Sequence, residues 1–242
     1  AQSHVKGSFD RPVYTVQATG LGVMNLLETV RLCHPAARVY QASSSEMFGN
    51  NMDPDGLQRE TTPMEPVSPY GCAKLMAYSL MRCYRQSYDL FLSNGILFNH
   101  ESPRRGTSFV TNKVVIGAVK IKKGLQKELR LGNLDSTRDW GHAKDYVRAM
   151  HAILQMESYG DFVLATGQSR SVRELCDYVF GSLGLCYTDH VKVDQRYIRP
   201  LELNHLKGDP SKFMEQVDFK FEYTFETMLD EMIAYWMEKI DE

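Results

Sequence analysis

Q-A-S-S-S-E-M-F-G at residues 41–49 and S-P-Y-G-C-A-K at residues 68–74 are the two phrases that decide how this chain folds. The short run Arg38-Val39-Tyr40 leads into the first and reads, over residues 38–43, as a buried strand. A strand so placed delivers Ser43, Ser44, Ser45 and Glu46 at the carboxyl edge of a sheet, where open α/β folds bind their ligands. In the second phrase Ser68 can cap a helix with Pro69 at its first position, which puts Tyr70 and Lys74 one turn apart on the same side. An ammonium beside a phenol favours the phenolate, so this pair is expected to lower the tyrosine pKa toward that of a usable general base. A hydroxyl, a carboxylate and an activated tyrosine would then converge on one substrate.

Outward from these phrases the pattern alternates. Residues 14–33 read as a helix with Val23, Leu26, Leu27 and Val30 on one apolar face, and residues 50–66 as a polar loop. The helix carrying Tyr70 shows Ala73, Met76, Ala77, Leu80 and Tyr84 on its inner stripe, and Ile96-Leu97-Phe98 ends a further strand. Strand and helix alternating in this way predict an α/β fold with a doubly wound parallel sheet. Residues 109–123 read as a helix ended by Gly124, 128–131 as a strand, 146–156 as a helix and 161–165 as the last parallel strand. Ser171 and Glu174 form a capping box for a helix running to Leu183, Asp209-Pro210 starts a short helix, and Thr224 caps a final one. The last helix carries Phe225, Met228, Leu229, Met232 and Trp236 as a stripe that reads as core.

Composition narrows the function classes. A chain of 242 residues with 43% apolar content can bury a full core. Its net charge of −2 supplies no global field for nucleic acid or an anionic membrane. Five cysteines, odd in number and without a C-x-x-C, suit reduced thiols in a cytoplasmic protein better than a disulfide framework. Seven scattered histidines make no metal-binding spacing, so no metal is expected. No apolar run approaches membrane-spanning length, and no charged-then-apolar leader is present.

With 13 tyrosines in the chain, chance alone supplies about one Tyr-x-x-x-Lys, so the pair by itself is weak evidence. Longer phrases are more restrictive: Q-S-H-V at residues 2–5, N-G-I-L-F-N-H-E-S-P-R-R-G at 94–106, L-G-N-L-D-S-T-R-D-W-G-H-A-K-D-Y-V at 131–147 and R-P-L-E at 199–202. Together with the two opening phrases they make the chain resemble the nucleotide-sugar dehydratases of the extended short-chain dehydrogenase/reductase family, and among these the GDP-mannose 4,6-dehydratases. The resemblance implies a Rossmann-like NADP-binding domain over residues 1–106 and about 139–167, and a smaller C-terminal α/β substrate lobe over about 107–138 and 168–242. It also implies that A-Q-S-H-V lies well inside the fold, after a first βαβ half with a glycine-rich phosphate loop. No G-x-G-x-x-G follows any strand here, and Gly20-Leu21-Gly22 lies inside a helical pattern. Two expectations follow: a piece of an enzyme that is inactive alone, or a truncated subunit that only binds a partner.

The activity implied is a lyase reaction on GDP-mannose: oxidation at C4, loss of water across C5 and C6, and return of the hydride to C6, giving GDP-4-keto-6-deoxymannose without consuming reductant. By resemblance Tyr70 takes the O4 proton, Lys74 lowers its pKa and holds the nicotinamide ribose, Ser44 hydrogen-bonds O4, and Glu46 moves the C5 proton. NADP would be held by Gln2, Ser3, Tyr14, Tyr70, Lys74, His100 and Arg105, and the sugar nucleotide by Ser44, Asn99, Lys113, Arg138, Arg199 and Glu202. Arg138 and Asp139 could instead form an internal ion pair. The family's habit implies a homodimer or homotetramer. Dehydratases of dTDP- or CDP-hexoses and 4-reductases of the same fold are the nearest alternatives, with Glu46 arguing against a reductase. Three departures stand out: Ser44 replaces the family's usual threonine, Asn112 its usual arginine before Lys113, and the segment 186–191 is shorter than the family's N-E-V-G loop.

Overall fold

A computed structural model describes residues 3–197, 201 and 203–240; Gln2, Arg199 and Glu202 lie outside the described residues. The chain opens with α1 (Val5–Asp10) and α2 (Pro12–Val16), which runs through a single π turn at Gln17–Leu21 into α3 (Gly22–Cys33). Then come β1 (Val39–Ser44), α4 (Pro69–Tyr88), β2 (Leu92–Leu97), β3 (Asn99–Glu101), α5 (Val110–Lys122), β4 (Leu129–Leu131) and β5 (Thr137–His142). The remainder is α6 (Ala143–Gln155), β6 (Asp161–Leu164), β7 (Ser169–Ser171), α7 (Val172–Ser182), α8 (Tyr187–His190), β8 (Val191–Val193), α9 (Ser211–Gln216) and α10 (Phe225–Lys239).

β1, β2 and β6 form a parallel sheet in the order β1-β2-β6, with Ser44 beside Leu97 and Leu97 beside Leu164. This is the doubly wound α/β arrangement expected. β2 is buried along its whole length, as a central parallel strand must be when both faces are covered. It nevertheless carries Asn94, because a buried polar network needs it. Asn94 donates to Asp161 at 2.8 Å and accepts from Ser43 at 3.2 Å, while Arg85 of α4 grips both Asp161 oxygens at 2.9 and 2.8 Å. A bidentate pair with its remaining lone pairs occupied is the form in which burying charge is tolerated.

Strands β3, β5, β7 and β8 escaped the sequence pattern. β3 pairs in parallel with β5, and β5 turns antiparallel against β7, so that the chain leaving the sheet is held in a second small sheet. β4 and β8 make a parallel pair under a separate apolar cluster, built from Val115, Val119, Leu175, Val179, Met228 and Met232 of α5, α7 and α10. The stripe read on the last helix is core in Met228, Leu229 and Met232, with Phe225 and Trp236 partly buried against it. The capping boxes at Ser171 and Thr224 both form. Leu203, Leu206, Phe213 and Phe219 pack on the parallel sheet instead of this second cluster.

The face read on residues 14–33 needs one correction. Leu27 and Val30 are buried, but Leu26 is 50% exposed. Leu27 packs with Met81 and Tyr84 of α4 and with Leu90 and Leu92, which leaves Leu26 outside the contact stripe, and Gly20 sits where a Cβ would come within 2.7 Å of the Met76 sulfur. No helix among the described residues is long and apolar enough to cross a membrane, and all five cysteines are free thiols.

Candidate active site

A cavity of about 400 Å³ opens between the carboxyl edge of the parallel sheet and the second apolar cluster. Ser44, Glu46, Tyr70 and Lys74 all line it, so the carboxylate and the phenol face one common space. Local sequence explains their convergence. Ser44 ends β1 and caps a single 3-10 turn (Ser45–Met47) by accepting from the Glu46 amide at 3.3 Å, which turns the Glu46 side chain off the strand. Ser68 caps α4 by accepting from Gly71 N at 3.0 Å, with Pro69 in the first turn. Gly71 is the joint: a Cβ there would lie 2.8 Å from both the Glu46 carbonyl oxygen and Pro66 Cβ. Only glycine lets the start of α4 approach the Ser45–Met47 turn this closely.

The electrostatics differ from the expectation for Tyr70. Burial pushes its phenol up to about 12, a hydrogen bond with Ser44 opposes the rise, and the nearby Glu46 carboxylate adds to it. Lys74 does not reverse this, because its ammonium donates to the Ala42 carbonyl at 2.7 Å and stands 5.7 Å from the Tyr70 ring centre. Burial holds the Lys74 ammonium down to about 8. At neutral pH the site therefore rests with a protonated phenol and a charged but easily discharged lysine.

Ser3, Asn99, His100, Arg105, Lys113 and Arg138 line the same cavity. His100 at β3 holds the Phe98 carbonyl at 2.9 Å and stacks on Tyr146 at 4.8 Å, and burial lowers its pKa, so it is neutral. Arg105 stacks on Phe109 at 3.6 Å and pairs through Nε with the buried Glu101 at 3.1 Å. Glu101, raised in pKa by burial, also accepts from Thr111 at 2.5 Å. Lys113 donates to the Arg130 carbonyl at 2.6 Å and lies 3.4 Å over the Tyr197 ring.

One alternative does not hold. The proposed Arg138–Asp139 pair does not form, because neighbouring residues on a strand point to opposite faces. Arg138 faces the cavity, whereas Asp139 accepts from the amides of Thr166 and Gly167 at 2.9 Å each and from the Thr166 hydroxyl at 2.7 Å. Burial raises the Asp139 carboxyl to about 6 against those bonds. Asn112, standing where the family has arginine, does not line the cavity. It is fully buried behind it, donating to the Arg105 carbonyl and accepting from Trp236 Nε1 at 2.9 Å.

Tyr14 stands apart: it is 56% exposed on α2 and does not line the cavity. Sequence reasoning missed Lys6, Glu101, Gly71 and Tyr197. A glycine inside the first turn of a capped helix was a readable signal for Gly71, and a charge ending a buried strand was one for Glu101. Nothing local marks Lys6 or Tyr197.

A family model described as GDP-mannose 4,6 dehydratase matches residues 1–232. The chain is 48% identical over 237 residues to GDP-mannose 4,6 dehydratase 1 of Arabidopsis thaliana, covering 96% of this chain and 65% of that protein. It is 44% identical over 252 residues to GDP-mannose 4,6 dehydratase of Homo sapiens, covering 96% and 67%. The chain thus spans about two thirds of the length of these curated relatives. Among solved structures, RMD from Pseudomonas aeruginosa complexed with NADPH superposes with a TM-score of 0.89 at 23% identity, covering 98% of this chain and 79% of that one. DesIV, a dTDP-glucose 4,6-dehydratase from Streptomyces venezuelae with NAD and TYD bound, gives 0.87 at 22% identity, covering 100% and 72%. These two likenesses establish the Rossmann-like fold, and the family match carries the assignment: the chain belongs to the GDP-mannose 4,6-dehydratase family.

Proposed function

We propose that the protein carrying these residues is a lyase that removes water across C5 and C6 of GDP-mannose, giving GDP-4-keto-6-deoxymannose. The observation that carries this reading is the shared cavity of Ser44, Glu46, Tyr70 and Lys74, faced by the cations Lys113, Arg138 and Arg105. The donor set fits a phosphorylated nicotinamide cofactor: Lys74 and Tyr70 suit ribose hydroxyls, while His100, Arg105 and Ser3 suit its amide and phosphate oxygens. NADP, when bound, supplies the acceptor for the C4 hydride and the donor that returns it to C6.

The remaining chemistry belongs to side chains of this chain. Tyr70 exchanges a proton with O4, and Ser44, in contact with the phenol, orients that oxygen. A phenol held near 12 becomes a base only when its anion is stabilised, and the Lys74 ammonium is the nearest cation on its own helix. Ser44 in place of threonine keeps the hydroxyl that this role requires. Once C4 is a ketone, C5–H is acidified and Glu46 takes that proton and gives one to the departing C6 hydroxyl. Lys113 and Arg138, joined by Arg199 and Glu202, hold the nucleotide diphosphate and its hydroxyls, and Asn99 the sugar. The separate apolar clusters support two lobes, with residues 1–106 and about 139–167 carrying the cofactor and about 107–138 and 168–242 the substrate, although Leu203, Leu206, Phe213 and Phe219 of the last segment pack on the parallel sheet. Exposed apolar side chains on α2 and α3, Val13, Tyr14, Leu26 and Leu32, suit a homodimer or homotetramer, and a charge balance of −2 suits a cytoplasmic protein.

Turnover of GDP-mannose against dTDP-glucose tests the reading, followed as formation of the 4-keto-6-deoxy sugar nucleotide. GDP-mannose is expected to be consumed and dTDP-glucose to be left. Preference for dTDP-glucose, or formation of a reduced or epimerised sugar in place of the ketone, refutes it.

A further inference from the structure

Lys6 and Lys113 come from helices far apart in sequence, α1 and α5, yet their ammonium groups address one ring. Lys113 Nζ lies 3.4 Å from the centre of Tyr197 and Lys6 Nζ 5.8 Å from it. All three residues line the cavity. Each lysine is anchored through a backbone carbonyl, Lys6 to Arg196 at 3.0 Å and Lys113 to Arg130 at 2.6 Å. A carbonyl occupies one of the three ammonium donors and leaves the charge in place.

The carboxylate close to this pair is Asp194, which attracts Lys113. Asp194 is already committed, bonded to Arg196 at 2.7 Å and to Arg130 at 3.4 Å. The backbone that carries this ring is held in place. Gly132 lies so close that a Cβ would stand 2.8 Å from the Tyr197 carbonyl oxygen, and Tyr197 N donates to Asp194 O at 3.0 Å. Two like charges kept on one wall of a cavity repel each other, and burial makes the repulsion at Lys113 more costly. An anion bearing two charges relieves both. One phosphate contacting Lys113 alone would leave Lys6 unmatched; adjacent phosphates can meet both.

We propose that Lys6 is a phosphate-binding residue of this cavity, acting with Lys113 beside the Tyr197 ring on a diphosphate group. This rests on the nucleotide-sugar reading of the site and adds to it a residue from the opposite end of the sequence. Lys6 is exposed at the cavity mouth and Lys113 half-buried within it, so an entering diphosphate meets Lys6 first.

The test is calorimetric titration of the 242-residue chain with GDP, alongside ligand-observed NMR with guanosine. Lys6→Gln is expected to weaken GDP binding about tenfold, the scale of one hydrogen bond to a charged group. Guanosine binding and the melting temperature should be unchanged, Lys6→Arg should restore the affinity, and the deficit of Lys6→Gln should shrink at high salt. Lys6→Gln binding GDP as tightly as the parent overturns the proposal while leaving the site reading intact, as does a loss that Lys6→Arg fails to rescue. A parent chain that binds no GDP overturns both.

Discussion

Along one wall of the cavity, Ser44, Glu46, Tyr70 and Lys74 arrive from a single strand end and the first turns of the next helix, locked by two caps and by the close approach at Gly71. Along the other, Lys6, Arg105, Lys113, Arg138 and Tyr197 arrive from five separate segments, held by stacking on rings and by bonds to backbone carbonyls. The first wall is short-range and desolvated, with pKa values displaced by burial. The second is long-range and cationic. Proton transfer needs atoms fixed within hydrogen-bond reach and tuned in acidity, whereas gripping phosphates needs positive charge at a distance that long side chains can adjust. On the proposed function, chemistry and recognition are given different kinds of support.

Breaking the first wall should cost most. Glu46→Gln is expected to lower release of 4-keto-6-deoxysugar about thousandfold, the scale of a lost general acid-base group, while cofactor binding is spared. Activity that survives would remove the carboxylate from the mechanism. Tyr70→Phe comes next. Loss of the phenol should slow the first hydride transfer about a hundredfold or more, read as nicotinamide reduction in a single turnover, and an undiminished signal would assign the proton transfer elsewhere.

Gly71→Ala sharpens the contrast without touching an ionisable group. The new methyl would press on the Glu46 backbone and Pro66, so unfolding in urea should show a loss of about 1–3 kcal/mol, the usual cost of overpacking. Activity should fall with it because Glu46 and Tyr70 separate. A neutral result would mean that the joint is slack. The smallest effect is one of pH. Lys74 loses its proton at about 8 in the folded chain and at 10.5 when ordinary, so between those values the unfolded state binds more protons. Stability contributed by this group therefore rises as pH increases through that window and is absent below it. Replacing Lys74 by Met should flatten the rise in urea midpoint between pH 8 and 10.5, and an unaltered slope would show that burial does not depress the lysine.

Legibility followed the same division. Ser68 and Pro69 announce the start of α4, and the run into Ser44 announces β1, because caps and strand periodicity are local signals. The capping boxes at Ser171 and Thr224 were readable for that reason. Strands β3, β5 and β7 were not. β3 and β7 have three residues each, and Thr137–His142 carries Arg138, Asp139 and His142 at buried positions that composition assigns to a surface. Asp139 is satisfied there by the Thr166 and Gly167 amides, partners that no pattern around residue 139 announces. The pairing of Tyr70 with Lys74 also read too simply. Spacing puts them on one helix side, but the balance between charge and burial depends on what covers them, and Ala42 takes the ammonium.

The amino-acid sequence by itself determined the α/β alternation, the strand-edge wall and the family. Each rests on neighbours within a few turns, whose geometry the backbone repeats impose. Tertiary structure alone decided that the Tyr70 phenol stays protonated, that Asn112 is a buried brace, and that Lys6 meets Lys113 at Tyr197. Desolvation and long-range approach are properties of the packed whole. No residue carries them until the rest of the chain has closed around it.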